Sequence, residues 1–337
     1  MTDPAARLLI LIPIFEDWAA AALLRPALDL ALQQAGLRAT VWLVDDGSTE
    51  KPPQATGVHR DVALDAVDVL TLRRNLGHQR AIAIGLAAAY DQFHPSAVVV
   101  MDGDGEDAPD DVPRLVAALR ANGGQRIVFA ERRRRSEDLV FKAFYAAYRF
   151  GHRLLTGIAV RVGNFSIVPA AQLERLVVVS ELWNHYAAAA FNAGLPRETI
   201  PAVRRNRTAG TSRMNFTALV SHGLRALSVH AEIIGVRLVI FTIVAAMALA
   251  AALAIGFGLR IVTLSTVPGW ALALGGLVVL LLGQAVVSAL VLVFLVLHGR
   301  SQPLFVPIRD YSHFVTSLGA LASTPYPRAS SAPAPIG

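Results

Sequence analysis

The sequence predicts an α/β fold in which a domain with a Rossmann-like, mostly parallel sheet precedes a hairpin of two transmembrane helices. Two patterns predict it. Over roughly residues 7–131, short aliphatic runs alternate with Ala- and Leu-rich helical stretches, which is the pattern of βαβ units. Two long uncharged segments follow toward the C-terminal end.

The alternating elements can be placed one by one. They are strands over 7–15, 38–48, 66–72, 96–102 and 125–131, and helices over 18–35, 78–91 and 111–121. Ligands of parallel sheets bind at the carboxyl ends of the strands. Asp45 and Asp46 end one predicted strand, and Asp102 and Asp104 follow another. We therefore expect the functional site at this edge of the sheet.

The uncharged segments are long enough to cross a bilayer. Residues 238–259 contain 22 positions without a formal charge, and residues 261–297 contain 37 more, whereas one crossing takes roughly 20. We predict spans over about 236–258 and 270–297. A pair of apolar core helices is the alternative, but core helices of soluble proteins rarely run so long without polar residues.

The N-terminal sequence and the composition limit where the domain can lie and which partners it can bind. The apolar run LLILIPIF has eight residues and is followed by Glu16 and Asp17, so it reads as a buried strand and not as a secretory signal. We expect the domain on the cytosolic side of a membrane. The chain has no cysteine, so disulfide bonds and metal sites with thiolate ligands are excluded. Its net charge of +6 suits anionic lipid and phosphate, and we expect no nucleic acid partner.

Four segments follow from these patterns. We expect a cytosolic α/β domain over 1–215, interfacial amphipathic helices over 216–235, the two spans within 236–300, and a partly disordered cytosolic tail over 301–337. Residues 216–235 place leucine and isoleucine among basic and polar positions, as helices lying on a membrane surface do. An ordinary packing helix of the soluble domain is the alternative.

The densest chemistry lies in SAVVVMDGDGEDAPDDVPRLVAAL, where six acidic residues occur within ten positions, 102–111. Asp102, Asp104 and Glu106 alternate in a glycine-containing loop, which lets carboxylate oxygens converge on one hard divalent cation. The alternative is a solvated turn that caps the next helix, with Asp110 as its N-cap.

Other ligand motifs are excluded. An EF-hand needs glycine at its sixth loop position and glutamate at its twelfth, where this loop has Asp107 and Pro113. The chain also lacks both the G-x-x-x-x-G-K-[ST] loop and a G-x-G-x-x-G turn after a strand.

Seven motifs in order carry a resemblance to a known family: IPIFED, LVDDGS, RNLGHQRAIAIGL, VVMDGDGEDAPDDVPRLV, RRRRSEDLVFKAFYAAYR, GNFSIVP and RNRTAGTSRMNF. Over about residues 7–300 the chain resembles family 2 glycosyltransferases of GT-A fold. Within that family it is similar to polyisoprenyl-phosphate glycosyltransferases with two C-terminal spans. The resemblance implies inverting transfer of a sugar from a UDP- or GDP-linked donor to an undecaprenyl-type phosphate, assisted by Mg²⁺ or Mn²⁺. It also implies that the catalytic domain works at the membrane lipid on the cytosolic face of a bacterial inner membrane. A homo-oligomer stays open.

The resemblance also implies residue roles. For the nucleotide sugar they are Pro13, Phe15, Asp17, Asp45, Asp46, Arg74, Asn75, Gly103, Arg207 and Arg213. For the metal they are Asp102, Asp104 and Glu106, and for catalysis Asp102, Asp104, Asp107, Arg132 and Arg135. The chain departs from the family at three positions, with Asp17 in place of Glu, Glu106 in place of Gln, and Asn164 in place of an acidic residue.

Each role has an ordinary alternative. VDDGS is also a common strand-to-turn signal, and Arg74 and Asn75 could cap the helix that begins near His78. Residues 132–135 are either a solvated charged face or a phosphate clamp. We assign no role to His78.

Two other functions stay open. A processive polysaccharide synthase is disfavoured because the chain lacks a Q-x-x-R-W motif and two spans are few for a channel. A non-catalytic membrane-anchored sugar-nucleotide binding protein is disfavoured because the acidic pair is intact.

Overall fold

A computed structural model describes the chain in six ranges: residues 3–50, 61–132, 162–202, 228–263, 269–300 and 305–321. The chain divides into two compact units. One unit holds a β-sheet and includes the described residues 305–321. The other unit holds the two long apolar helices.

Within the described residues, the sheet unit contains eight strands. In chain order they are β1 Leu8–Ile14, β2 Ala39–Asp45, β3 Leu64–Leu72, β4 Ala97–Val100, β5 Ile127–Arg132, β6 Val162–Pro169, β7 Arg197–Ala202 and β8 Val315–Ala320. Their order across the sheet is β7-β5-β6-β4-β1-β2-β3-β8. The block β4-β1-β2-β3 is parallel throughout, while β6 and β8 run antiparallel to their neighbours.

The helices between the strands cover both faces of the sheet. They are α1 Trp18–Gln34, α2 His78–Ala88, α3 Asp111–Ala121, α4 Ala170–Leu176 and α5 Tyr186–Asn192. Helix α2 continues into a π-helical turn, Ala89–Phe93, and a 3-10 turn, Ser180–Trp183, precedes α5.

Two buried clusters show the alternation of strand side chains between the faces. Leu9 and Leu11 of β1 pack with α2, α4 and α5, whereas Ile10 and Ile12 pack with α1 and α3. Successive side chains of a strand point to opposite faces, so a strand buried on both faces is apolar throughout. The predicted α/β class with a mostly parallel sheet, followed by two apolar helices, is confirmed.

The strand order contains a switch point. From β1 the chain moves outward to β2 and β3, and then returns to place β4 on the other side of β1. Crevices at the carboxyl ends of strands beside such a reversal are the usual ligand sites of α/β sheets. The residues after β1 and β4 therefore lie at the point where a ligand is expected.

The apolar helices are α6, Ala231–Thr263, and α7, Gly269–Arg300. Each contains a window apolar and long enough to cross a membrane, and only 6% of each window is buried. A core helix of a soluble protein would be mostly buried, whereas Phe241 and Phe294 are 70% and 68% exposed. Within this unit a Cβ on Gly235 of α6 would lie 3.1 Å from Val293 of α7, so the two helices pack closely there.

The structure describes part of the predicted segments on either side of the two apolar helices. The predicted interfacial helices over 216–235 lie mostly outside the described residues, and positions 231–235 continue directly into α6. Beyond α7, the described part of the predicted tail is ordered. It forms the short helix α8, Pro307–Asp310, a 3-10 turn, Tyr311–Phe314, and the strand β8.

Candidate functional site

Four loops meet at the carboxyl edge of the parallel block because β1, β2, β3 and β4 all end there. They are residues 15–17 after β1, 46–50 after β2, 73–77 after β3 and 101–107 after β4. Every residue predicted for the site in the described N-terminal half, apart from Pro13, Asp45 and Arg132 within strands, lies in one of these loops. These predicted residues thus share one edge of the sheet, and their roles stay predictions.

The loop after β2 is locked to the loop after β3. Both carboxylate oxygens of Asp46 accept backbone hydrogen bonds, from the N–H of Leu76 at 2.7 Å and from that of Gly77 at 2.8 Å. Burial raises the pKa of Asp46, and these two N–H donors oppose that rise. Asp46 therefore acts as a brace between the two loops.

Gly47 shows how closely these loops approach. Its φ is +73°, and a Cβ there would lie 2.5 Å from the carbonyl carbon of Arg74 and 2.6 Å from the backbone nitrogen of Asn75. No side chain fits between these backbones, and a positive φ also favours glycine. The sequence DDG thus fixes the backbone that carries Arg74 and Asn75, both of which are exposed.

Glu16 joins the loop after β1 to the loop after β2. Its carboxylate accepts hydrogen bonds from the backbone N–H of Thr49 at 2.6 Å, from the Thr49 hydroxyl at 2.7 Å and from the Glu50 N–H at 3.3 Å. The Glu16 N–H donates in return to the Ser48 hydroxyl at 2.9 Å. Glu16 has a φ of 51°, an uncommon conformation for a side chain of this size. Sequence reasoning assigned it no role.

The acidic loop after β4 is folded around its own backbone. Asp107 is buried, and its Oδ2 accepts a hydrogen bond from the Asp102 N–H at 2.9 Å. Asp104 Oδ1 accepts one from the Glu106 N–H at 3.0 Å. A Cβ on Gly103 would lie 3.1 Å from Ile12 and from Ile14. The loop therefore rests against the end of β1, and the contact seen for Asp107 is structural.

His78 reaches the acidic loop from the first residue of α2. Its Nε2 lies 3.0 Å from Asp102 Oδ1 and also 3.0 Å from Asn164 Nδ2. The two residues are 24 positions apart in sequence, and no local pattern signals the pair. The structure thus brings a residue to which we assigned no role into direct contact with a predicted metal ligand.

A chain of amides sets the orientation of Asn164. The Tyr186 N–H donates to Gln79 Oε1 at 2.8 Å, so Gln79 Nε2 donates to Asn164 Oδ1 at 3.1 Å. Asn164 Nδ2 then faces His78 as a donor. The same His78 Nε2 also faces the Asp102 carboxylate, which can only accept a hydrogen bond. Nε2 can therefore either donate to Asp102 or accept from Asn164, but not both at once. An amide at position 164 fits this chain, which gives the departure from an acidic residue a physical reason.

The acidic surroundings decide the charge of His78. Partial burial disfavours the protonated ring, but the carboxylates of Asp102, Asp104 and Asp46 favour it, and together they raise the pKa of His78. Since 42% of the side chain remains exposed, the cost of desolvation is limited and the upward direction stands.

The acidic loop suits a divalent cation in its chemistry. Asp102 and Asp104 supply carboxylate oxygens, and Mg²⁺ is usually held by one or two carboxylates together with substrate phosphates. Within the described ranges no three acidic or histidine side chains already converge as a complete metal cage. Glu106 as a third ligand therefore stays a prediction.

The other predicted residues occupy varied positions. Phe15 is 39% exposed at the end of β1, whereas Pro13 is buried within that strand. Asp17 takes the N-cap position of α1 without a side-chain capping bond. Asp45 Oδ1 accepts a hydrogen bond from the Ser48 N–H at 2.9 Å and so closes the turn after β2.

The predicted phosphate-binding arginines are not described. Arg132 ends β5, but its side chain is outside the described set, and Arg135, Arg207 and Arg213 fall in ranges that the structure leaves out. Their roles stay predictions.

The site and the fold agree with one family of proteins. Residues 9–167 match the profile of Glycosyl transferase family 2, a range that covers β1 to β6 and all four loops. This part of the chain is therefore similar to family 2 glycosyltransferases, the family that the motif series predicted.

The curated relatives carry a more specific name than the family. The chain is 24% identical over 230 residues to undecaprenyl-phosphate 4-deoxy-4-formamido-L-arabinose transferase of Klebsiella pneumoniae subsp. pneumoniae, with 65% of each chain covered. It is 28% identical over 129 residues to the Pseudomonas aeruginosa protein of the same name, covering 38% of this chain and 36% of that one. The chain thus spans about two thirds or less of these curated relatives.

Solved structures with a related layout include mannosyl-3-phosphoglycerate synthase from Rubrobacter xylanophilus, at 14% identity and a TM-score of 0.45 over 66% of this chain and 72% of that one. Another is glucosyl-3-phosphoglycerate synthase from Mycobacterium tuberculosis with Mn²⁺, UDP-glucose and phosphoglyceric acid. It is 16% identical, with a TM-score of 0.43 over 68% of this chain and 80% of that one. Overlaps this loose transfer no residue role.

Proposed function

We propose that this chain is a membrane-bound glycosyltransferase that moves a sugar from a nucleotide diphosphate sugar to a polyisoprenyl phosphate of the undecaprenyl type. One observation carries the proposal. The Asp102–Asp104 loop lies beside β1 at the switch point of a family 2 domain, where the diphosphate of a donor would need an oxygen-bound cation. The names of the curated relatives support the acceptor.

The reaction we propose is a single displacement with inversion. An oxygen of the acceptor phosphate forms a bond to the anomeric carbon, and the bond from that carbon to the nucleoside diphosphate breaks. The diphosphate leaves with the bonding electrons. Phosphate monoesters have a second pKa of about 6, so near neutral pH the acceptor oxygen already carries charge. The domain then needs to align the substrates more than to remove a proton.

The described residues support the alignment of the donor. The braces formed by Asp46 and Glu16 fix the loops after β1, β2 and β3 relative to one another. We propose that Phe15 contacts the nucleotide base, because it is the exposed aromatic side chain at the end of β1. Arg74 and Asn75 would contact the diphosphate or ribose from the opposite loop.

We propose that Asp102 and Asp104 hold Mg²⁺ or Mn²⁺. Such an ion would supply charge stabilisation for the departing diphosphate. The protein's own part is to present two carboxylates on a loop that Asp107 and Gly103 hold against β1. His78 would compete with such an ion for Asp102, since its Nε2 lies 3.0 Å from the carboxylate oxygen.

The chain connectivity supports a hairpin whose two ends lie on the same side of a membrane. The unit that holds the sheet includes residues both before α6 and after α7, which supports an even number of membrane crossings between them. Two spans satisfy that condition. We propose the cytosolic face because nucleotide sugars are the donors.

The decisive experiment offers the substrates directly. Membranes that contain the protein are incubated with a panel of UDP- and GDP-sugars and undecaprenyl phosphate, and the lipid fraction is examined by mass spectrometry. We expect one sugar to appear on the lipid phosphate, and excess chelator to abolish the product. A sugar bound without any lipid product would show a binding protein, and a growing polymer would show a processive synthase.

The matched variant is Asp104→Asn, which keeps the size of the side chain. Loss of a preorganised electrostatic contact of this kind costs on the order of 100-fold in turnover. Undiminished transfer by Asp104→Asn would contradict the assignment of the acidic pair.

A further inference from the structure

The segment that follows the second apolar helix is built into the sheet unit. Strand β8 pairs with β3 in antiparallel register from Asp68↔Ala320 to Leu72↔Val315. Tyr311 is buried and its hydroxyl bonds to Asp91 and to Gln92. Residues 305–321 are therefore part of the domain, although they follow the whole apolar hairpin in sequence.

This segment holds the start of the loop after β3. The Arg73 N–H donates to the Phe314 carbonyl at 2.8 Å. The far end of the same loop is held by Asp46 through Leu76 and Gly77. The loop that presents Arg74 and Asn75 is thus fixed at one end by the DDG turn and at the other by the post-hairpin segment.

Three aromatic rings extend this contact to helix α2. The ring centroid of Trp183 lies 3.9 Å from that of Phe305 and 5.2 Å from that of Phe314, and we call these three residues the aromatic clamp. The guanidinium of Arg80 lies 4.8 Å from the Trp183 ring centroid. Arg80 is in the first turn of α2, two residues after His78. The clamp therefore contacts the turn that brings His78 to Asp102.

We propose that residues 305–321, acting through the aromatic clamp, are a positioning element of the nucleotide-sugar site. They hold the loop after β3 and the first turn of α2 in the arrangement that presents Arg74, Asn75 and His78. This inference rests on the proposed function, because it takes the nucleotide sugar as the ligand whose binding depends on the aromatic clamp. It also makes the continuation of the membrane hairpin a component of the site.

Trp183→Leu in the full-length protein removes the ring that both clamp partners and Arg80 contact. We expect faster hydrogen–deuterium exchange in the peptide over residues 73–82, and donor binding about 10-fold weaker by calorimetry. Turnover at saturating donor should stay within about twofold, since the acidic pair is untouched. Trp183→Phe keeps a ring and should restore both readouts.

Arg80→Gln is the milder variant if Trp183→Leu does not fold. It removes only the cation–π contact, and we expect donor binding to weaken about 3- to 5-fold. Its matched control is Arg197→Gln, because Arg197 lies 4.0 Å from the Phe191 ring centroid and belongs to β7 at the other edge of the sheet. The control should leave donor binding and the exchange of residues 73–82 unchanged.

Two results would overturn the proposal. One is unchanged exchange over 73–82 in both Trp183→Leu and Arg80→Gln. The other is faster exchange with unaltered donor binding, which would make the segment merely structural. If the wild-type protein binds no nucleotide sugar, the proposed function is wrong. In that case residues 305–321 cannot position a nucleotide-sugar site, whatever the exchange measurements show.

Discussion

Replacing Gly47 by alanine tests whether the contact between the loops after β2 and β3 is as tight as it appears. The new Cβ would lie 2.5–2.8 Å from three backbone atoms of Arg74 and Asn75, so one backbone must move. Overpacking of this kind costs about 1–3 kcal/mol. The positive φ of +73° adds about 1–2 kcal/mol for alanine. We expect a total loss of about 2–5 kcal/mol in the free energy of unfolding.

Gly36→Ala supplies the matched control. Gly36 has a φ of +64° but nothing within 4 Å of its added Cβ, so it carries the conformational cost alone, about 1–2 kcal/mol. The assay is the thermal unfolding midpoint of both variants in one detergent, where each kcal/mol lowers the midpoint by about 2–4 °C. Gly47→Ala should also weaken donor binding about 10-fold or more through loss of one charge-assisted contact. Equal midpoints for the two variants would refute the close approach.

Three further predictions concern single side chains. The pKa of His78 is raised in the folded protein. Its pairing with Asp102 therefore stabilises the fold fully below the ordinary histidine pKa of about 6.5, and this stabilisation is lost as the pH rises through the pKa of the folded state. The midpoint gap between wild type and His78→Gln, measured without divalent metal, should therefore shrink from pH 5.5 to pH 9, and a gap that widened would contradict the pairing. Glu16→Gln should weaken donor binding at constant saturated turnover, because an amide cannot accept all three bonds of the carboxylate, and an equal loss in both kinetic parameters would show a role in the chemical step. Arg135→Ala should raise the concentration of polyprenyl phosphate needed for transfer, and Arg207→Ala should weaken donor binding measured without lipid, each by about 10- to 150-fold. If both variants weakened donor binding equally, Arg135 would belong to the donor site as well.

The elements that could be predicted from sequence are those with local periodicity. Helix α3 spans 111–121 as predicted, and α1 ends at Gln34, one residue before the predicted end. Apolar spacing fixed both, because each helix buries one face against the sheet. The acidic loops could also be placed at the strand ends, since parallel connectivity brings those ends to one edge.

What sequence reasoning missed depends on contacts between distant residues. The pairing of β8 with β3 joins Asp68 to Ala320, and a short uncharged run such as VTSLGA has no periodicity that identifies its partner. The contact of His78 with Asp102 arises only because α2 begins beside the end of β4. Glu16 escaped notice because its three hydrogen bonds come from Thr49 and Glu50, which lie in another loop and far away in sequence.

The position of β8 in the chain has a consequence for biosynthesis. The strand that covers the edge of β3 follows both apolar helices in sequence, so β3 would keep this edge open until both helices have been translated. Open strand edges invite pairing with other chains, and partly folded domains are vulnerable for that reason. Under the proposed two-span topology the described sheet is completed only after both helices have been synthesised, which would tie maturation of the domain to membrane insertion.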